Sequence, residues 1–250
     1  MVPFRVLSAC LLMTLPALAQ PGPRGVTMTH IHVNSADPES AIKLWTGVLG
    51  TSTYSQGDQN GVSMLGAVIL FSKSAVSGPS DGSAILHIGL RAPDVQPFAA
   101  RVAKTPYKSK TQSAPTGDTL LIEGPDGVQI EVAENSDMYT SLEFGHVHLQ
   151  GPKPAEMQAW YAKNLGARPS GEDLSSRLGG ATVVFSEAAQ VAPTKGRAVD
   201  HIAVETRDLA TLTKTLAAAG VKLEPVAGAK VPTAFLTDPW GTLIEVTEAQ

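Results

Sequence analysis

Four short runs of alternating apolar and polar residues lie along the chain, and a helix-like segment follows each of them. In the first run Ile31 and Val33 occupy one face of an extended strand, while His30 and His32 occupy the other. An apolar face of this kind packs against other elements of the fold. The pattern therefore predicts strands with one covered face and one face that carries histidines.

The segments between the strands carry the start and stop signals of helices. Asp37 can cap a helix, Pro38 suits its first position and Gly50 can end it. Asp208 and Gly220 bracket a later segment in the same way. Apolar side chains recur at helical spacing in both segments: Ala41, Leu44, Trp45 and Val48 in the first, and Leu209, Leu212 and Leu216 in the second.

The second half of the chain repeats the first. Three pairs of segments share an offset near 114 to 116 residues: VILFSKSA with VVFSEAA, EGPDGVQIEVAE with TDPWGTLIEVTE, and LHIGLRAPD with DHIAVETRD. The repeat predicts two domains, 27–134 and 143–248, joined by a polar linker at 135–142. Each half divides again into two copies of strand, helix and three strands. We therefore predict an α+β fold of four βαβββ modules, with helices on one face of concave mixed sheets.

Composition narrows the classes of function. The net charge of −4 and the 5% of aromatic residues argue against a nucleic-acid-binding surface. Residues 1–19 have the positive start, apolar run and small-residue end of a secretory signal peptide. We expect a secreted or periplasmic protein that does not bind the membrane after cleavage. Cleavage would remove Cys10, the only cysteine, so any metal site must use His, Asp or Glu.

The histidines are placed with unusual regularity. All six lie in the first strand of a module, on the face opposite the apolar residues: His30, His32, His87, His146, His148 and His201. Small residues, Gly89 and Ala203, follow on the same face and leave room for an ion or a ligand.

An acidic residue lies in the last strand of each half, flanked by apolar residues. Glu131 follows His87 by 44 residues, and Glu245 follows His201 by the same 44 residues. A carboxylate in a buried strand is costly unless it is paired or binds a metal. Two histidines and one carboxylate form a facial set for a divalent cation that leaves positions open for substrate. Alternatively, these histidines only line a cleft, and each glutamate pairs with a basic side chain.

These motifs resemble the vicinal oxygen chelate superfamily, which contains glyoxalases, bleomycin- and fosfomycin-resistance proteins and extradiol dioxygenases. The resemblance runs from about Thr27 to Glu248, through H-x-x-V, the helix ending in Leu-Gly, H-I and D-P-x-G-x-x-I-E. It implies a divalent metal ion (Fe, Mn, Zn, Ni or Co) and a small-molecule substrate that binds through neighbouring oxygens. The implied ligands are His30, His87 and Glu131 in the first half, and His146, His201 and Glu245 in the second.

The sequence departs from two branches of that family. Leu70 and Val184 stand where glyoxalase I has a fourth, carboxylate ligand, and Phe235 and Leu121 stand where the dioxygenases have a tyrosine. The resemblance therefore implies a lyase, isomerase or oxygenase without specifying which. A protein that only sequesters a ligand, as in bleomycin resistance, and a chain with one catalytic and one vestigial domain are the alternatives.

His32 and His148 share the face of the expected ligands but match no family ligand. We expect them to carry a proton during catalysis, or else to line the cleft. The sequence leaves open which modules pair. Two modules of one half can close on each other, or the first can pair with the fourth, which would join His30 with His201 and Glu245. It also leaves open whether the protein is a monomer or a homodimer.

Overall fold

The computed structural model describes residues 25–170 and 173–249. It contains two mixed sheets of eight strands each, with four α-helices outside them. The predicted order of one strand, one helix and three strands occurs four times, which confirms the α+β class and the four modules. The predicted signal peptide, residues 1–19, lies outside the described residues. No helix among the described residues has the length and apolar character needed to cross a bilayer.

The first sheet is built from the first and fourth modules. Its strand order is β14-β15-β16-β13-β1-β4-β3-β2, with β1 and β13 antiparallel at the centre. The elements of the first module are β1 (Val26–Ser35), α1 (Pro38–Leu44), β2 (Ser52–Gln56), β3 (Gln59–Met64) and β4 (Ala67–Lys73). Those of the fourth are β13 (Val199–Thr206), α4 (Leu209–Ala218), β14 (Glu224–Pro225), β15 (Thr233–Thr237) and β16 (Leu243–Glu248).

The second sheet is built from the second and third modules. Its order is β10-β11-β12-β9-β5-β8-β7-β6, and the central pair, β5 and β9, is again antiparallel. The elements of the second module are β5 (Ile85–Ala92), α2 (Gln96–Val102), β6 (Lys108–Ala114), β7 (Gly117–Glu123) and β8 (Gln129–Glu134). Those of the third are β9 (Glu143–Gly151), α3 (Pro154–Leu165), β10 (Arg168–Ser170), β11 (Ser175–Leu178) and β12 (Ala181–Glu187).

The modules are therefore paired across the two halves of the sequence, the first with the fourth and the second with the third. The two modules of each half still contact each other through their helices and loops, across the two sheets. Arg101 of α2 donates to the carbonyl of Val48 after α1, and Tyr161 of α3 donates to Asp238 in the loop before β16. Each sheet therefore takes one module from each of the two sequence repeats.

Local sequence explains the elements. The side chain of Asp37 accepts from the amide of Ser40 and caps α1, and Gly50 adopts φ of 77°, as the capping signals predict. The predicted apolar stripes are buried in the core. One difference is that α1 continues as a π-helical turn over Trp45–Leu49, a helix with one extra residue in its hydrogen-bonded ring.

Candidate metal centres

The strand register places the histidines and glutamates in two equivalent clusters. In the first sheet His30 of β1 lies opposite Ala203 of β13, and Ala203 lies beside Glu245 of β16. His32 lies opposite His201 in the next row. Because the central residue is small, the longer side chains on either side of it lean together. We call His30, His32, His201 and Glu245 the His30 cluster.

The second sheet repeats this arrangement. His146 of β9 lies opposite Gly89 of β5, Gly89 lies beside Glu131 of β8, and His148 lies opposite His87. A Cβ atom on Gly89 would lie 2.2 Å from Cε1 of His146, so the glycine makes room for that ring. We call His87, His146, His148 and Glu131 the His87 cluster.

Distances within the His30 cluster are short. Nε2 of His201 lies 3.0 Å from Oε2 of Glu245, and Nε2 of His30 lies 3.7 Å from the same oxygen. On the other side of the ring, Nδ1 of His201 donates to Oδ2 of Asp200 at 2.6 Å. Nε2 of His30 is buried and has no hydrogen-bond partner among the described residues. A buried nitrogen without a partner is costly and marks a position where a further group would bind.

In the His87 cluster two imidazoles face each other directly. Nε2 of His87 lies 3.1 Å from Nε2 of His146. The carboxylate of Glu131 lies 3.6 Å from the first of these nitrogens and 3.8 Å from the second. Two nitrogen atoms bound to one metal at about 2.1 Å lie roughly 3.0 to 3.4 Å apart. The spacing of these donors therefore fits a shared divalent cation.

His30, His87 and His146 have the neutral protonation state that metal binding needs. Burial lowers the pKa of His30 and His146 to about 4, and burial with the neighbouring imidazoles lowers that of His87 to about 2. Neutral imidazole offers a lone pair to a metal, whereas imidazolium does not. Burial also acts to lower the pKa of His201, but its hydrogen bonds to Asp200 and Glu245 outweigh burial and raise it.

The pKa values of the two carboxylates shift in opposite directions. Burial raises the pKa of Glu131. Burial acts in the same direction on Glu245, but the hydrogen bond from His201 and the nearby imidazoles outweigh it and lower the pKa of that carboxyl. The His30 cluster therefore stabilises its anionic ligand before any metal binds.

His32 and His148 each contact a serine that the sequence interpretation missed. Nε2 of His32 lies 2.7 Å from Oγ of Ser72, and Nε2 of His148 lies 2.8 Å from Oγ of Ser186. The ring of His32 also stacks on His201, with centroids 4.6 Å apart. The serines occupy the same place in the repeated segments VILFSKSA and VVFSEAA, so the repeat itself carried the signal.

Either three histidines or two histidines and a glutamate can form a ligand set in each cluster. Ligand atoms of His30, His32 and His201 lie within 4.8 Å of one another, and so do those of a second triad, His87, His146 and His148. The structure thus brings together all eight predicted site residues in two groups of four. It does not bring His30 close to His87 and Glu131, because the modules that carry them belong to different sheets.

Two cavities of about 820 Å³ lie near the His30 cluster, and the second of them is lined by His30 itself. One is lined by Asp200 and by Phe235, whose ring meets that of His201 edge-on at 5.3 Å, together with apolar side chains of the fourth module. The other contains His30, Arg168 and Arg177, and it lies where the two sheets meet. Both have the size of a site for a small molecule.

The positions that depart from the family pattern are also visible. Leu70 lies beside His32 and Val184 lies beside His148 in the parallel strand pairs. Leu70 is buried and apolar. Neither side chain can contribute the fourth, carboxylate ligand that the sequence comparison already found missing.

Comparison with known proteins shows similarity in sequence over part of the chain and in fold over most of it. A family model described as the Glyoxalase/Bleomycin resistance protein/Dioxygenase superfamily matches residues 143–246. No curated protein matches the sequence. Glyoxalase I from Zea mays has a similar structure, with a TM-score of 0.68, 17% identity, and coverage of 89% of this chain and 92% of that chain.

Two further structures have the same fold. A protein of Bacillus subtilis subsp. subtilis str. 168, provisionally named a dioxygenase, has a TM-score of 0.63 at 16% identity, over 89% of this chain and 84% of its own. The cppA protein of Streptococcus pneumoniae TIGR4 has a TM-score of 0.55 at 10% identity, over 89% and 99%. Residues 143–246 therefore match the model of the glyoxalase/bleomycin resistance protein/dioxygenase superfamily, and the chain has the same fold as these solved structures, built from four modules.

Proposed function

We propose that the protein is a divalent-metal-dependent enzyme that acts on a small molecule bound through two neighbouring oxygens. One observation carries this proposal. Two clusters of three histidines and one glutamate occupy equivalent register positions in the two sheets, and each has donor spacings suited to a cation. If the residues of one cluster had no shared role, the other sheet would have no reason to carry the same four residue types at the equivalent positions.

In this proposal His30, His201 and Glu245 hold one metal ion, and His87, His146 and Glu131 hold the other. The metal ion would be Fe, Mn, Zn, Ni or Co, and when bound it would act as a Lewis acid for a developing enolate or alkoxide. The reaction is of lyase, isomerase or oxygenase type.

His32 and His148 are the proposed proton carriers. Each ring lies against a proposed ligand, His32 on His201 and His148 on His87, with ring centroids 4.6 Å and 4.5 Å apart. The serine hydroxyl at each Nε2 fixes the orientation of the ring and connects it to a second exchangeable proton. This geometry suits proton transfer beside the bound substrate.

Metal analysis of the purified protein tests the proposal. We expect bound Fe, Mn, Zn, Ni or Co by inductively coupled plasma mass spectrometry, or a thermal shift when one of these metals is added to chelator-treated protein. A metal at about 100 times its Kd stabilises by roughly 2.7 kcal/mol, which corresponds to about 5 to 10 °C for a chain of this size. Protein that contains no metal and gains no thermal stability from any of the five would overturn the proposal.

Substitution of the proposed ligands makes the test specific. Glu131→Gln and Glu245→Gln should each remove metal from one cluster, because the amide loses the charge but keeps the size of the side chain. Glu39→Gln, at an exposed position of α1 outside both sheets, is the matched control and should leave the metal content unchanged. Loss of metal from only one of the two ligand variants would identify the other cluster as vestigial.

Sequestration of a ligand without chemistry is the second candidate. The apolar cavity beside Phe235 supports sequestration, because a cavity of that size can hold a drug-sized molecule. A sequestering protein would bind its ligand equally well after both glutamates are replaced. An enzyme of the proposed kind would lose ligand binding together with the metal.

Export is part of the proposal. The signal-like residues 1–19 predict a mature chain that begins at Gln20 and is found in the periplasm or the medium. Intact-mass measurement of the protein recovered from each cell fraction tests this. A cytoplasmic protein that retains residues 1–19 would contradict export and leave the proposed chemistry unaffected.

A further inference from the structure

The two clusters differ in what lies behind their central histidine. Asp200 immediately precedes His201 in β13, and its Oδ2 accepts from Nδ1 of that histidine at 2.6 Å. Its other oxygen accepts from the amide of Gly196 at 2.5 Å and from the side-chain amide of Asn34 at 2.9 Å. Both oxygens are therefore used, and the carboxylate is held in one orientation.

Within residues 25–170 and 173–249, no equivalent carboxylate lies behind His87. The repeat places Leu86 where the other half has Asp200, and a leucine side chain accepts no hydrogen bond. Gln150 stands in the place of Asn34, and its amide donates instead to the carbonyl of Ser83. In the part of the chain that the structure describes, the network of amide, carboxylate and imidazole is thus present beside the His30 cluster and not beside the His87 cluster.

A carboxylate on Nδ1 has a known effect on a metal-binding histidine. It holds a proton on Nδ1, so that the ring binds the metal through Nε2, and it fixes the plane of the ring. Nε2 of His201 already points at Glu245, 3.0 Å away. The same carboxylate increases the basicity of the nitrogen that would bind the metal.

The charged side chains around the two clusters also favour a cation at the His30 cluster. The His30 cluster contains Glu245, and Asp200 lies directly behind its His201. The two carboxylates together match the charge of a divalent cation. The His87 cluster contains Glu131 alone, and Arg91 follows on β5, paired with Glu143 at 3.0 Å. The repeat places Glu205 where Arg91 stands in the other half. A cation is therefore less favourable at the His87 cluster.

We infer that Asp200 is a positioning residue that makes the His30 cluster the tighter of two unequal metal sites. This inference rests on the proposed function, since it requires that both clusters bind a metal. It assigns the main chemistry to the first sheet, where one cavity of about 820 Å³ includes His30 and another of the same volume is lined by Asp200. The His87 cluster then fills only at a higher metal concentration.

Titration of chelator-treated full-length protein with Co²⁺, followed by visible absorbance against a competing chelator, tests the inference. We expect two steps of one equivalent each, with the first at least about tenfold tighter. Glu245→Gln should remove the tight step and Glu131→Gln the weak one. Loss of an outer hydrogen-bond partner costs roughly 10- to 100-fold in affinity, so Asp200→Asn should weaken the tight step by that factor and leave the weak step unchanged.

Three controls separate positioning from a general structural role. Asp200→Glu keeps the charge and should restore part of the affinity, and circular dichroism should show an unchanged fold in every variant. Leu86→Asp should tighten the weak step, because it introduces a carboxylate next to His87. If Asp200→Asn fails to fold, the order of filling in the unaltered protein and the Leu86→Asp result still decide.

The outcomes distinguish this inference from the proposed function. Two steps of equal affinity, a weak step assigned to Glu245, or an Asp200→Asn variant with unchanged affinity would overturn the inference while the metal sites stand. Absence of Co²⁺ binding at both clusters would overturn the proposed function itself.

Discussion

Replacing Gly89 with alanine should disable one cluster and leave the other intact. The added Cβ would lie 2.2, 2.4 and 2.6 Å from Cε1, Nδ1 and Nε2 of His146, whereas ordinary van der Waals contact begins at 3.4 Å. The ring of His146 must therefore withdraw by at least about 1 Å. Its Nε2 now lies 3.1 Å from that of His87, and this juxtaposition would be lost.

The expected effect follows from how precisely a metal site must be held. Ligand atoms need to stay within about 0.5 Å of their productive positions, so a shift of about 1 Å exceeds the tolerance. We expect the Co²⁺ affinity of the His87 cluster to fall at least about tenfold. The side chain of His146 is 18% exposed, so the ring has space to swing into the cleft and the fold should survive.

Stability should change little in the absence of metal. Alanine removes the conformational cost of glycine within a strand, roughly 0.5–1 kcal/mol, and this offsets part of the cost of displacing the ring. Urea unfolding of chelator-treated protein measures this term separately from metal binding. Affinity and stability should therefore respond independently to the substitution.

The assay uses variants in which only one cluster can bind. Gly89→Ala is measured in the Glu245→Gln background, where the remaining Co²⁺ step belongs to the His87 cluster. Ala203→Gly in the Glu131→Gln background is the matched control, since Ala203 occupies the corresponding position opposite His30, and its affinity should stay within about threefold. Unchanged affinity in Gly89→Ala would show that His146 is not a ligand and would refute this reasoning.

Three further predictions concern the fold. Tyr161→Phe removes the buried hydrogen bond from the tyrosine hydroxyl to Asp238, which should cost about 1.5–3 kcal/mol by urea unfolding when the carboxylate is charged. Burial raises the pKa of Asp238, and this bond opposes the rise. The loss of unfolding free energy in Tyr161→Phe should therefore shrink as the pH falls through that pKa. Equal losses at pH 7.5 and 3.5 would contradict this prediction. Arg197→Ala loses the bond from Nε to the carbonyl of Pro79 and should cost no more than about 1 kcal/mol, measured by the urea midpoint. Trp45→Ala should cost about 3–5 kcal/mol in guanidinium unfolding because the indole is fully buried, and a cost below 1 kcal/mol would contradict its place in the core.

Local pattern was sufficient to predict the modules and the histidine face. Alternation around Ile31 and Val33 sets which side of β1 is buried, and that choice depends on the strand alone. Caps such as Asp37 and Gly50 act within one turn of helix. These features are readable because their physical causes lie within a few residues of one another.

Module pairing could not be predicted from local pattern. It depends on contacts between distant parts of the chain, such as the ladder of β1 with β13, in which His32 lies opposite His201. The sequence therefore left both pairings of His30 open. The structure selects the pairing with His201 and Glu245, so the ligand sets combine residues from both repeats.

The sequence shows that Asp200 is present, but its role could be recognised only in the structure. The repeat reveals that an aspartate in one half replaces a leucine in the other, but the aspartate becomes informative only once its oxygens are located. Ser72 and Ser186 are similar, because their hydroxyls matter only through the register that places them beside His32 and His148. The π-helical turn at Trp45–Leu49 was not predicted, because its apolar spacing reads as an ordinary helix.

Anomalous diffraction from crystals grown with Co²⁺ or Zn²⁺ tests the central claim most directly. We predict one peak among His30, His201 and Glu245 and a second among His87, His146 and Glu131, with metal–nitrogen distances of about 2.0–2.1 Å. The first peak should have the higher occupancy at limiting metal. A well-ordered structure at saturating metal with no peak at either cluster, or with its metal bound elsewhere, would contradict the account.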